Sequence, residues 1–104
     1  MDVKFNPTIN KYVDIISNIN SVLKVYLFGS QAKGTAHEDS DIDLMVIIEN
    51  NADVKKITFQ IQKSLSDRII PLDVMVNREA EFYNAHELTL QKQIASEGVV
   101  MYAK

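Results

Sequence analysis

Gly29-Ser30 and, twelve positions after Gly29, Asp41-Ile42-Asp43 are the residues of this chain whose types and spacing could do chemistry. One apolar run, Val22 to Phe28, ends in the glycine–serine pair, and a second opens with the two carboxylates. A small turn leading into a helix start turns backbone N–H groups toward a phosphate. Carboxylates one residue apart on a strand project from the same face, because strand side chains alternate. Charges that close repel, and one pKa rises unless a cation compensates. Mg2+ is the natural compensator, since it takes oxygen ligands and is typically held by one or two carboxylates plus substrate phosphates. The two motifs together describe a metal–nucleotide site.

A third acid, Asp73, interrupts the run Ile69-Ile70-Pro71-Leu72-x-Val74-Met75-Val76. A carboxylate inside an apolar strand is costly unless paired or metal-bound. Alone it reads equally as an edge-strand surface residue or a ligand; beside the other two acids it reads as a ligand. If its strand lies next to the second one, three carboxylates converge, and three can hold two metal ions, the usual clamp for phosphoryl or nucleotidyl transfer. A helix terminus contributes only about 0.3–1 kcal/mol toward a charge, too little for a triphosphate, so the metal must carry much of the binding. Lys33 is either a solvated loop lysine or a phosphate contact. His37 and His86 read as surface residues, and no serine, histidine and acid cluster at triad spacing. Gln31 and Thr35 receive no assignment. A lone Gly-Ser is more often a plain turn, and a lone Asp-x-Asp a solvated strand end; their joint occurrence between two apolar strands is what favours function.

The elements that must position these residues follow from periodicity. Asn6-Pro7 is a helix start, with asparagine as cap and proline in the first turn. Ile9, Tyr12, Val13, Ile16 and Ile19 then predict an amphipathic helix over 7–20. Val22 to Phe28 predicts a strand with Leu23, Val25 and Leu27 on one face, and Tyr26 and Phe28 as core or rim. Residues 30–33 could form one helical turn, and 35–40 a loop. Residues 41–48 predict a second strand, apolar on both faces beyond its acids: Ile42, Leu44, Val46 and Ile48 on one, Met45 and Ile47 on the other. Such a strand is usually central, which leaves the acids at its open end. Asn50 or Asn51 could cap a helix over about 52–66, with Val54, Ile57, Ile61 and Leu65 buried. A third strand over 69–76 and helix over 79–97, broken near Asn84, complete the pattern, with Gly98 as helix stop and 99–102 as a short edge strand. Alternating helices and strands give an α/β fold. The short link between the first two strands points to a mixed β-sheet flanked by helices.

With 104 residues the chain fits a single domain, 1–104. Its 46% apolar content supplies a core, and a formal charge of −3 gives no bulk argument for nucleic acid. Cysteine is absent, which excludes disulfides and thiolate metal sites. No stretch reaches membrane-spanning length and the first residues lack a signal-peptide pattern, so a soluble cytoplasmic protein without membrane or direct nucleic-acid partners is expected.

Gly29-Ser30, ten residues, then Asp41-x-Asp43 resembles the signature of the polymerase-β-like nucleotidyltransferases. The wording Phe28-Gly29-Ser30-x-Ala32-x-Gly34 and Asp39-Ser40-Asp41-Ile42-Asp43-Leu44 is similar to the minimal nucleotidyltransferase group, as are Leu72-Asp73-Val74 and the ending Glu97-Gly98-Val99-Val100-Met101-Tyr102. The resemblance implies a mixed sheet with two Mg2+ ions and ATP at its open end. Asp41 and Asp43 would ligate both metals; Asp73 would ligate the catalytic one and help deprotonate the attacking hydroxyl. Gly29 and Ser30 would hold the β- and γ-phosphates. Members often carry arginine at one or both of the positions of Gln31 and Lys33, which weakens the expectation of phosphate contact there. Many members are antitoxins of type VII-like pairs, resembling enzymes that transfer AMP from ATP to a tyrosine of a HEPN-domain toxin. Larger relatives add a domain that holds the acceptor; here the acceptor surface would come from a partner or a second copy, a hetero- or homo-oligomer. The alternatives are a non-catalytic antitoxin acting by complex formation and a small-molecule, antibiotic-type nucleotidyltransferase.

Overall fold

The computed structural model describes residues 7–29, 32, 41–66, 72–85 and 89–104. Helix α1 (Pro7–Ser17) and strand β1 (Val22–Phe28) lead to strand β2 (Ile42–Ile48), helix α2 (Val54–Ser64) and strand β3 (Leu72–Arg78). Two short helices, α3 (Glu79–Tyr83) and α4 (Leu90–Glu97), then lead to strand β4 (Val99–Ala103). The four strands form one sheet in the order β3-β2-β1-β4. β1 is antiparallel to β2 and to β4, while β2 and β3 are parallel. The sheet is therefore mixed, and β2 is an inner strand, as its two apolar faces require. The parallel pair is joined through α2, the kind of crossover such a pair needs.

One sheet face carries the larger core. Ile9, Tyr12, Val13 and Ile16 of α1 and Ile57 and Ile61 of α2, with Leu65, bury against Val25, Leu27, Ile42, Leu44, Val46 and Ile48. The other face carries Tyr26, Met45 and Ile47 under Phe82 of α3 and Ile94 of α4. Phe82 is fully buried and stacks on Tyr26 at 5.4 Å between ring centroids.

Several boundaries differ from the expectation. α1 stops at Ser17, and Val22 N–H donates to Ile19 O to close the turn before β1. A register shift between Val22 and Lys24 places Val22, not Leu23, in the core beside Val25 and Leu27; such a shift re-aims the side chains before it. The cap of α2 is Asp53, whose carboxylate accepts from Lys56 N–H at 3.2 Å. Asn50 instead accepts from Ala80 N–H at 2.8 Å, tying the loop after β2 to the start of α3. β3 runs two residues beyond the expected end, and Arg78 at its tip donates to Ala52 O. The break near Asn84 is present, with Asn84 capping α3. Gly98 ends α4 with a φ of −70°, so left-handed backbone is not the reason for glycine. Space is the reason: a Cβ there would sit 2.6 Å from Ile94 O.

Candidate active site

β1 delivers Phe28 to the sheet's end and the chain turns at once. Gly29 has a φ of +74°, the left-handed region that L-residues with a Cβ rarely adopt. In register, Phe28 pairs with Asp43, and Asp43 pairs with Asp73. These three side chains thus form a row across β1, β2 and β3 on one sheet face, with strands about 4.8 Å apart. Asp41 lies two residues before Asp43, just outside β2, and is exposed. Asp73 is exposed as well, while Asp43 is half-buried.

The Asp43 carboxylate leans over the backbone of Gly29. A Cβ built on Gly29 would overlap Asp43 Oδ2 and lie 3.2 Å from Asp43 Cγ. The glycine is therefore required twice, by its φ and by the carboxylate. Burial pushes the Asp43 carboxyl above the usual range, and the negative charges of Asp73 and Asp41 push it further.

The structure brings Gly29, Asp43 and Asp73 together, with Asp41 close enough to act on Asp43. Ser30 and Lys33 lie outside the described residues, as do Gln31, Thr35, His37, Asp39 and His86. Among the described residues, no three acidic or histidine side chains are grouped as an ion-enclosing cage. The expected three-ligand metal set is thus not a closed one. What stands there is an open carboxylate pair in register, with a third acid nearby. That donor set fits Mg2+, which keeps several waters and shares its sphere with substrate phosphates.

Two neighbours of the site were not read from the sequence. Phe28, Gly29, Leu90, Gln93, Ile94, Glu97 and Gly98 border a cavity of about 150 Å³ between the end of β1 and α4; only the tertiary path of α4 puts it there. Met75 shares the face of Asp73, two residues on, and half-buries against Met45 and its neighbours. Strand alternation carried that signal.

On the same face but toward the other end of β1, Lys24 Nζ donates to Tyr83 Oη at 3.4 Å and to Tyr26 Oη at 3.5 Å. The Tyr83 hydrogen bond raises the Lys24 pKa, and burial raises that of Tyr26. This cluster clamps α3 onto β1.

The sequence profile of the family described as Polymerase beta, Nucleotidyltransferase matches residues 10–104. No curated protein matches the chain. Among solved structures, a point mutant of the MntA–HepT toxin–antitoxin superposes with a TM-score of 0.65 at 26% identity, covering 97% of this chain and 75% of that one. A toxin–antitoxin solved with AMP-PNP gives 0.64 at 24% identity, covering 91% and 73%. The complex of a tri-AMPylated Shewanella oneidensis HEPN toxin with its MNT antitoxin gives 0.60 at 21% identity, covering 95% and 74%.

Proposed function

Because the chain belongs to the polymerase beta nucleotidyltransferase family, we propose that it transfers AMP from ATP, with Mg2+, to a tyrosine hydroxyl of a partner HEPN toxin. It thereby acts as the antitoxin of a type VII-like pair, and residues 1–104 form one nucleotidyltransferase domain. The observation that carries this reading is the in-register pair Asp43–Asp73 beside the left-handed Gly29. Likeness to toxin–antitoxin structures, one holding AMP-PNP and one an AMPylated toxin, supports the nucleotide and the partner.

In this reading Asp41, Asp43 and Asp73 hold two Mg2+ ions. Those ions supply charge neutralisation at the phosphates when bound. Gly29 lets the backbone approach the β- and γ-phosphates, and Ser30 and Lys33 add contacts to them. The acceptor oxygen forms a bond to the α-phosphorus. The bond from that phosphorus to the bridging oxygen of the β-phosphate breaks, and pyrophosphate leaves with the electron pair. The hydroxyl proton passes to the Asp73 carboxylate. Asp43, fixed over Gly29, would act at the α-phosphate only as a ligand of the Mg2+ that neutralises it. Catalysis of this kind is almost wholly positioning and electrostatics.

Co-expression with the toxin tests the proposal. The Asp41→Ala/Asp43→Ala variant is expected to bind the toxin yet fail to protect cells. Protection equal to wild type would overturn the enzymatic reading in favour of neutralisation by complex formation.

A further inference from the structure

Helix α2 buries Ile57 and Ile61 against the sheet face opposite the carboxylates. At about 3.6 residues per turn, Phe59 falls at the middle of the outer face of that helix, and it is 70% exposed. Lys55 and Lys56 stand one turn before it and Lys63 one turn after, all of them exposed. The helix carries these three lysines and no acid. Among the described residues the one ion pair is Arg78–Glu81, so no carboxylate there neutralises the three. The formal charge of −3 for the whole chain conceals this local excess. Beside the patch, Lys56 and Gln60 wall an open cleft of about 560 Å³ that Asn18, Asn20 and Asn51 also line. Among the described residues, the one acid lining the cleft is Asp53, whose carboxylate is engaged in capping the helix at Lys56 N–H.

We propose that the outer face of α2 binds single-stranded nucleic acid, with a base stacked on Phe59 and the flanking phosphates on Lys55, Lys56 and Lys63. An aromatic ring on a basic track is how proteins hold single strands without sequence preference. From Lys55 to Lys63 the helix rises about 12 Å, so cations stand on both sides of the ring along the path of the strand. The adjoining cleft offers neutral amide donors and acceptors to the next base. Lysine is depleted at protein interfaces, whereas it is a chief neutraliser of phosphates, which favours a nucleic acid over an acidic protein. A membrane is disfavoured because the helix spends its apolar stripe on the core and leaves one ring to insert. A duplex keeps its bases stacked on one another and gives Phe59 no open base to cover. The patch lies across the sheet from Asp43, and β2 puts about 20 Å between the carboxylates and the cleft. The inference therefore does not depend on the proposed nucleotidyl transfer.

The test is fluorescence anisotropy of a fluorescein-labelled oligouridylate titrated with the protein at several salt concentrations, without ATP. Wild type is expected to bind it, and to bind an RNA duplex of the same length more weakly. Phe59→Ala should weaken oligouridylate binding about tenfold, the effect of one lost base–aromatic stack, and Phe59→Tyr should retain it. The triple variant Lys55→Gln/Lys56→Gln/Lys63→Gln should reduce the slope of log Kd against log salt by about 2, at roughly 0.7 for each phosphate contact. All four side chains are exposed, so the variants should keep the circular dichroism and Tm of wild type. Folded wild type that fails to bind the oligouridylate, or an unchanged affinity in Phe59→Ala, would overturn the inference. Polyglutamate that displaces the label as well as unlabelled oligouridylate does, at equal total charge, would overturn it in favour of an acidic protein partner. Each of these results leaves the nucleotidyltransferase reading where it stands.

Discussion

Gly29→Ala is the perturbation whose effect follows most directly from the geometry. Two costs are separable. The first is backbone: alanine at a φ of +74° is in the left-handed region, which costs roughly 1–2 kcal/mol for an L-residue. The second is steric: the new Cβ would overlap Asp43 Oδ2 and lie 3.2 Å from Cγ, while its 3.5 Å approach to Asp43 Cβ is ordinary contact. The carboxylate must therefore swing aside, and truncating Asp43 to alanine removes the conflict without removing the φ strain. A double-mutant cycle in denaturant isolates the steric part. Gly29→Ala is expected to cost more in the wild-type background than in Asp43→Ala, with a coupling within the ~0.5–3 kcal/mol typical of contacting residues. The backbone part should persist in both, lowering Tm by about 4–8 °C for each kcal/mol lost. Nucleotidyl transfer should fall further than stability does. A displacement of about 1 Å at a reacting centre can lower a rate roughly a hundredfold. Equal stability costs in the two backgrounds, or an unaltered transfer rate in the folded variant, would refute the view that Asp43 is seated on Gly29.

The Asp43 shift gives a pH dependence with a definite sign. In metal-free protein its folded pKa lies above the ordinary value of 3.8. Between those two values the folded state keeps a proton that the unfolded chain has lost, so stability falls as pH rises through that window. Asp43→Asn should remove this slope in urea titrations with EDTA and raise the metal-free Tm at neutral pH; an unchanged slope would contradict the cause given. The same substitution should abolish the stabilisation by MgATP, which for wild type at a hundredfold excess over Kd amounts to about 2.7 kcal/mol. Among the described residues, the buried Oδ1 of Asn77, which pairs in register with Ile47, has no hydrogen-bond partner. An unsatisfied buried oxygen costs about 1–3 kcal/mol, so Asn77→Val should stabilise the fold by about 1 kcal/mol, and a loss of stability would refute that accounting.

Local patterns were legible where local physics decides. The limits of β1 and β2 follow from apolar runs bounded by Gly29 and by Asp41. The two faces of β2 follow from strict alternation, and the central place of β2 from both faces being apolar. The broken helical stretch follows from Asn84. The misreadings have long-range causes. Asn50 has capping chemistry, but Ala80 N–H, thirty residues away, takes its oxygen and leaves the cap to Asp53. Leu23 has the right parity for the core, but the irregular pairing between Val22 and Lys24 reverses it. At the site, the pairing of Gly29 with the acids could be read from spacing. The adjacency of Asp43 and Asp73 could only be stated as conditional, because the parallel register of β2 and β3 is set by tertiary packing. The cavity beside Gly29 left no mark in the sequence, since α4 reaches it from some sixty residues away.

The most direct measurement uses ATP labelled at the α-phosphate, incubated with the purified protein, Mg2+ and the partner toxin, and resolved on a gel. The account predicts label on the toxin, retained by wild type and lost in Asp43→Ala and Asp73→Ala. Label that persists in both variants, or a toxin left unlabelled by folded wild-type protein bound to it, would contradict the claim that this row of carboxylates transfers a nucleotide.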